Sequence, residues 1–261
     1  MSLKSPVAYV QKTYRDVSIS ILQAMAPSET DRRERGTRKS WYETRGFERA
    51  LTVFSAVQVA LFLPLTWWVR RHPVDGEDIK ITDEMQRDAS AILINAARGI
   101  SYVSSPKVLR VVVIPLGLLF WKKGLRLEAV MTIGLNWTSE IAKDIVKRLV
   151  HRPRPSPALV RIWKSRHHPS FPSGNVIAVS TFWGWLFFLG LVYWRDKPAW
   201  QRALLAIPVL FGVLVGPARV YLGDHWTSDV LGGYLFGNGW LGLWIRLYLL
   251  LLRKGPIDLD K

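Results

Sequence analysis

The chain has 261 residues, 49% of them hydrophobic, and its 36 Lys and Arg against 20 Asp and Glu leave a formal charge of +16. The apolar residues are bunched into runs between highly charged connectors, which excludes a soluble globular domain and makes anionic lipid, not nucleic acid, the partner of the positive charge. Cysteine is absent, so neither a disulfide framework nor a thiolate metal site is available.

Residues 4–26 place Val10, Tyr14, Val17 and Ile21 at helical spacing, with Lys12, Arg15 and Asp16 on other faces. This pattern predicts an amphipathic helix, lying in the membrane interface or packed on the bundle. Residues 30–46 are polar and charged and read as a cytoplasmic linker. No short apolar core with a small-residue cleavage site stands at the N-terminus, so 47–69 reads as an uncleaved first span. Five more apolar segments follow, 108–121, 127–150, 176–194, 204–221 and 230–252, each long enough or nearly so to cross about 30 Å of hydrocarbon as a helix. Between the first two, 81–100 is amphipathic and too polar to span, and Asp83 is placed to cap it. The expected fold is all-α: a polytopic membrane protein with six transmembrane helices, an N-terminal amphipathic helix and an extracytoplasmic amphipathic segment. It divides into 1–46, a six-helix membrane domain over 47–253, and a short cytoplasmic tail over 254–261.

Lys and Arg collect before span one, between spans two and three, between four and five, and after six. All four clusters fall on one side. The positive-inside rule then puts both termini in the cytoplasm, in an inner or plasma membrane, with the loops around 70–102, 150–173 and 219–229 outside.

Three clusters fall at span ends on that outer face. In "KRLVHRPRP", Lys147 to Pro155, guanidinium forks and an ammonium suit a tetrahedral oxyanion; the alternative is a basic flank that snorkels to the interface, although on this topology such flanks belong on the opposite side. In "PSGN", Pro172 to Asn175, a helix begins, so unpaired backbone N–H groups and the positive dipole end point outward; an ordinary N-cap gives the same pattern. In "ARVYLGDHWTSD", Ala218 to Asp229, His225 and Asp229 stand four apart, so the carboxylate can hold one imidazole nitrogen while the other faces the cleft as a nucleophile toward phosphorus.

Lys147, six residues, then Arg154 and Pro155; Pro172, Ser173 and Gly174; Arg219, five residues, His225, three residues, Asp229: this spacing resembles the tripartite signature of the type 2 phosphatidic acid phosphatase superfamily. The resemblance implies a phosphatase or phosphotransferase that needs neither metal nor cofactor. It casts His225 as nucleophile, Asp229 as its orienting acid, and Lys147, Arg154, Ser173, Gly174 and Arg219 as the phosphate-binding set, on the extracytoplasmic face. The chain departs from the family pattern at two positions. Ala218 stands where a Ser is usual, and Asn175 stands where the family has the His that protonates the departing oxygen. Asn donates a hydrogen bond but delivers no proton near neutral pH.

Four explanations of Asn175 stay open: a substitute acid, for which His167 and His168 are the candidates; a leaving group good enough to need little help, as in a lipid diphosphate; a His-to-Asn replacement that traps substrate; or a non-catalytic lipid-phosphate binder. The expected activity is hydrolysis of a lipid phosphomonoester or diphosphate, phosphatidyl or polyprenyl, through a phosphohistidine, with transfer to a hydroxyl acceptor as the rival outcome. The expected partners are that lipid and the surrounding membrane lipids. The sequence carries no signal for oligomeric state.

Overall fold

The computed structural model describes residues 41–253, which form helices and their connections with no strand among them. The amphipathic helix expected over 4–26 and the tail 254–261 lie outside the described residues. After a 3-10 turn at Trp41–Glu43 come α1 (Arg45–Arg71), α2 (Gly76–Met85), α3 (Ala91–Val103), α4 (Pro106–Lys122), α5 (Arg126–Val150), α6 (Gly174–Tyr193), α7 (Ala199–Ala203), α8 (Ala206–Tyr221) and α9 (Thr227–Arg253).

The apolar runs become helices because each is bounded by a capping residue or a turn. The Thr44 hydroxyl accepts from the Phe47 amide at the start of α1, and Ser105, followed by Pro106 in the first turn, starts α4. Among the described residues, four helices are long and apolar enough to cross a membrane: α1, α6, the α7–α8 segment Ala199–Tyr221, and α9. The pair α3 and α4, bent by 45° at Ser104 and Ser105, makes a fifth if counted together. Large apolar side chains on α1, such as Val53, Leu61, Leu63 and Trp67, are exposed, as suits a face turned to lipid. The protein is therefore a membrane protein built of helices. The expected third span, α5, has the length, but it carries Glu128, Glu140, Lys143, Asp144 and Lys147.

The amphipathic stretch at 81–100 is two helices rather than one. Asp75 caps α2 and Ser90 caps α3, while Asp83 lies inside α2 and starts nothing. At the break the Gln86 amide N–H still closes α2, and the Ser90 amide donates to the Asp88 carboxylate (3.1 Å) in the turn before α3. The Gln86 side chain anchors that turn, donating to the carbonyls of Arg161 (2.8 Å) and Tyr221 (2.9 Å) and accepting from the Arg161 amide (3.0 Å).

Helix α6 is the hub, buried along nearly its whole length. It is apolar all round, as expected of a helix enclosed by others. Toward its far end Trp185 and Phe188 pack on Tyr248 of α9. Toward its start it runs so close to α9 that side chains on the facing side are excluded: a Cβ on Gly233 would lie 2.9 Å from the Val176 Cβ, and one on Gly237 would lie 2.7 Å from the Ser180 Cβ. Small residues at such positions let two backbones approach in a membrane. Here they bring the beginning of α6 against the beginning of α9, and the Ser173 amide donates to the Asp229 carbonyl (3.0 Å).

Candidate active site

Helix α5 ends at His151, which takes a left-handed backbone conformation (φ 51°) and turns the chain out of the helix. The segment that follows, Arg152-Pro153-Arg154-Pro155, is not helical. Its prolines fix φ and hold it extended, so successive arginines two apart share a direction only if the chain runs straight. They go to different partners here. Arg152 is fully buried and donates to Asp229 Oδ1 (2.8 Å), whereas Arg154 donates to the carbonyls of His168 (2.7 Å) and Asp224 (2.5 Å) and lies 3.3 Å from His225 Nε2.

His225 sits in the tight connection between α8 and α9, just ahead of Thr227, not on the helix itself. Asp229 is the third residue of α9, and its Oδ2 accepts from the backbone N–H of Trp226 (3.0 Å). The same oxygen faces His225 Nδ1 at 3.3 Å. A carboxylate reaching back from the third helical position to the residue before the helix is the geometry of a capping box, and here it also fixes an imidazole. Arg154 has only donors to offer, so the Nε2 it approaches carries the lone pair and Nδ1 carries the proton directed at Asp229. Burial first, and then the positive charges of Arg154, Arg219, Lys147 and Arg166, hold His225 well below the usual imidazole range. It is a neutral base with its Nε2 lone pair turned toward cations.

Lys147 and Arg219 lie near enough to His225 to act on its charge, and the remaining expected residues open the neighbouring helix α6. Lys147, one turn before the end of α5, donates to the carbonyls of Pro169 (2.6 Å) and Ser170 (3.0 Å). Arg219, in the last turn of α8, pairs with Asp224 (2.6 Å) and donates to the Ser101 hydroxyl, leaving its buried Nε without a partner. Ser173 begins α6 without capping it, and its buried Oγ is also unpartnered. Gly174 and Asn175 open the first turn of that helix, where backbone N–H groups have no intrahelical acceptor. Guanidinium, ammonium and amide donors, with two buried donors without a partner at Ser173 and Arg219, are chemically matched to a tetrahedral oxyanion.

Asn175 has a different engagement. Its side-chain amide is buried and donates to the Ser101 carbonyl (2.8 Å), tying α6 to α3. Ser101 thus receives Asn175 on its carbonyl and Arg219 on its hydroxyl. His167 and His168 are exposed, and Arg154 holds His168 by its carbonyl oxygen rather than by its ring. Ala218 is buried among Ala97, Tyr221 and Leu222.

Sequence reasoning missed Arg152, Ser101 and Ser170, whose hydroxyl lies 3.4 Å from Asp229 Oδ1. It also missed Asp224, which bridges Arg219 and, at 3.0 Å, Arg166. A signal for Arg152 was present in the doubled Arg-Pro of "RPRP". None was present for Ser101, which lies 118 residues from Arg219.

Residues 127–252 match the model of the PAP2 superfamily. The chain is 25% identical over 178 residues to phosphatidylglycerophosphatase B of Bacillus subtilis, covering 67% of this chain and 85% of that protein. It is 28% identical over 190 residues to lipid phosphate phosphatase delta of Arabidopsis thaliana, across 69% of this chain and 44% of that one. Against the undecaprenyl-diphosphatase of Sulfolobus acidocaldarius it is 33% identical over 89 residues, 34% of this chain and 36% of that protein. Among solved structures, a transmembrane PAP2-type phosphatidylglycerolphosphate phosphatase from Bacillus subtilis superposes with a TM-score of 0.61 at 22% identity, covering 78% of this chain and 98% of the other. All three signature clusters fall within the matched segment, so residues 127–252 carry the pattern of the PAP2 superfamily.

Proposed function

We propose that the protein is an integral-membrane lipid phosphatase that hydrolyses a lipid phosphomonoester or diphosphate through a phosphohistidine on His225. The observation that carries this reading is the neutral, buried imidazole, proton on Nδ1 toward Asp229 and lone pair on Nε2, beside donors that lack an acceptor at Ser173 and Arg219. In the first step the Nε2 lone pair forms a bond to phosphorus as the bond to the lipid oxygen breaks. The imidazole becomes a cation, which the Asp229 carboxylate stabilises. Lys147, Arg154, Arg219 and the first amides of α6 take the charge on the equatorial oxygens. In the second step water attacks phosphorus, the P–N bond breaks, and inorganic phosphate and the neutral imidazole are regenerated.

No proton donor stands at position 175, because the Asn175 amide cannot give up a proton and is already turned to Ser101. A departing phosphate monoester needs less protonation than a departing alkoxide, which favours a lipid diphosphate as substrate. The relatives, a phosphatidylglycerophosphatase, a lipid phosphate phosphatase and an undecaprenyl-diphosphatase by name, support the lipid class. Helix α5, of 25 residues, is about 37 Å long and packs against α4, α6 and α9, which supports counting it as a sixth span. Both termini are then cytoplasmic and the site opens on the outer face, with 1–46 and 254–261 flanking the membrane domain on the inner side.

Replacing His225 with Ala tests the reading. Release of inorganic phosphate from farnesyl diphosphate and dioctanoyl phosphatidic acid in detergent micelles is expected to vanish; turnover equal to the parent overturns it. The engagement of Asn175 with Ser101 also favours a second reading, a lipid-phosphate binder. Measurable turnover by the parent protein on either substrate excludes that alternative.

A further inference from the structure

We infer that Asp78, on the short helix α2 outside the matched segment, is a positioning residue for the His225–Asp229 pair and acts through Arg152. This rests on the reading of His225 as nucleophile. Asp78 is buried (5% exposed), and its carboxylate is fully engaged. One oxygen accepts from Arg152 NH2 (2.7 Å) and from the Ser228 hydroxyl, and the other accepts from the Ser228 amide (2.9 Å). The Arg152 side chain, wholly buried, spends its remaining donors on the Pro73 carbonyl (3.0 Å), Ser228 Oγ (2.7 Å) and Asp229 Oδ1 (2.8 Å). One guanidinium therefore joins two buried carboxylates, and the second of them holds the nucleophile.

A buried charge survives only where its partners are in place. Arg152 without Asp78 would be a lone cation against Asp229, drawing that carboxylate's charge to itself. Asp78 supplies the counter-charge, so that Asp229 keeps its negative charge available for the imidazole. It also ties α2 to the first turn of α9, because Ser228 lies next to Asp229. The groups facing His225 are Asp229 from α9, Arg154 and Arg166 from the loops after α5, Lys147 from α5 and Arg219 from α8, with the neighbouring Asp224 carboxylate paired to Arg219 and Arg166. Asp229 is the carboxylate that faces the imidazole Nδ1, so its charge is what the relay protects.

The test is Asp78→Asn in the full-length protein, with phosphate release from farnesyl diphosphate and dioctanoyl phosphatidic acid followed across pH. Loss of the counter-charge weakens Asp229 as a partner for an imidazolium, so His225 becomes harder to protonate and harder to phosphorylate. The expected result is kcat lowered on the order of 10-fold with KM within about twofold. The acid limb of kcat/KM is expected to move to lower pH by roughly half a unit, and Asp78→Glu is expected to restore most of the rate. Arg152→Gln is expected to cost more than Asp78→Asn, and the double substitution no more than Arg152→Gln alone, because the two act in series. A normal kcat and an unmoved limb in Asp78→Asn, or losses that simply multiply in the double variant, overturn the inference. If Asp78→Asn does not accumulate, Ser228→Ala removes the hydroxyl that both charges share while leaving the charges. A fewfold loss of kcat with a limb shift in the same direction supports the relay, and parent-like values overturn it. An active His225→Ala protein would instead sink the phosphohistidine reading beneath it.

Discussion

Two buried polar clusters lie at opposite ends of α6, and they are finished differently. Near its end, Glu128 of α5 is 3% exposed and receives the hydroxyls of Tyr193 from α6 and Tyr248 from α9 (2.8 Å). Thr132 and Trp185 close the neighbouring turn with a 2.8 Å hydrogen bond. At the start of α6, Ser173 Oγ and Arg219 Nε are as deeply buried but have no acceptor or donor opposite. Native interiors satisfy nearly all their buried polar groups, and an exception calls for a reason. The cluster near the end of α6 is closed on itself and joins three helices. The one at its start leaves two buried donors without a partner among the described residues.

That contrast can be broken by exchanging the consequences. Ser173→Ala removes an unpartnered donor from the open cluster and is expected to lower kcat/KM for phosphate release by about 10² to 10³-fold, with little change in thermal midpoint because its hydroxyl makes no hydrogen bond among the described residues. Asn175→His restores a proton donor at the start of α6, and is expected to raise turnover of phosphatidic acid by about 10²-fold while raising that of farnesyl diphosphate much less. Equal gains on both substrates would remove the leaving-group argument. At the closed end the signs reverse. Glu128→Leu strands two tyrosine hydroxyls and is expected to cost about 2 kcal/mol of stability, seen as a lowered melting temperature in detergent, with kcat per folded molecule retained. The smallest effect concerns pH. Because burial and four nearby cations keep the imidazole neutral, lowering the pH through 6.5 does not protonate it as it would a free histidine. The acid limb of kcat/KM is therefore expected below that value, and a limb at or above 6.5 would show an imidazole less enclosed than this one.

The helices of the membrane domain were readable because their cause is local. A run of apolar residues between charged connectors bounds a helix wherever it is placed, and 176–194 and 230–252 lie within a few residues of α6 and α9. The expectation failed at 81–100, where periodicity continues but Asp88 turns the chain and Ser90 caps a new helix, with the Gln86 side chain anchored to backbone 75 and 135 residues away. The expected site residues show the same division. Lys147, Arg154, Ser173, Arg219, His225 and Asp229 were legible by spacing, and among them Arg154 and Asp229 lie directly against His225. The residues that orient them were not, since Arg152 finds Asp78 across 74 positions and Asp229 across 77. Such contacts are set by packing and leave no mark in a local window. His225 and Asp229 meet as expected at four residues apart, but by a carboxylate reaching back out of α9 and not by two side chains on one helical face.

The hydrogen bond from the Ser173 amide to the Asp229 carbonyl, beside the glycine-lined approach of α6 to α9, ties the start of one helix to the first turn of the other. A Cβ at Gly233 would lie 2.9 Å from the Val176 Cβ and 3.0 Å from the Ser173 carbonyl oxygen. The distance between the two helix starts, and with it the placement of Ser173 relative to Asp229, is thus written in the absence of a single methyl group.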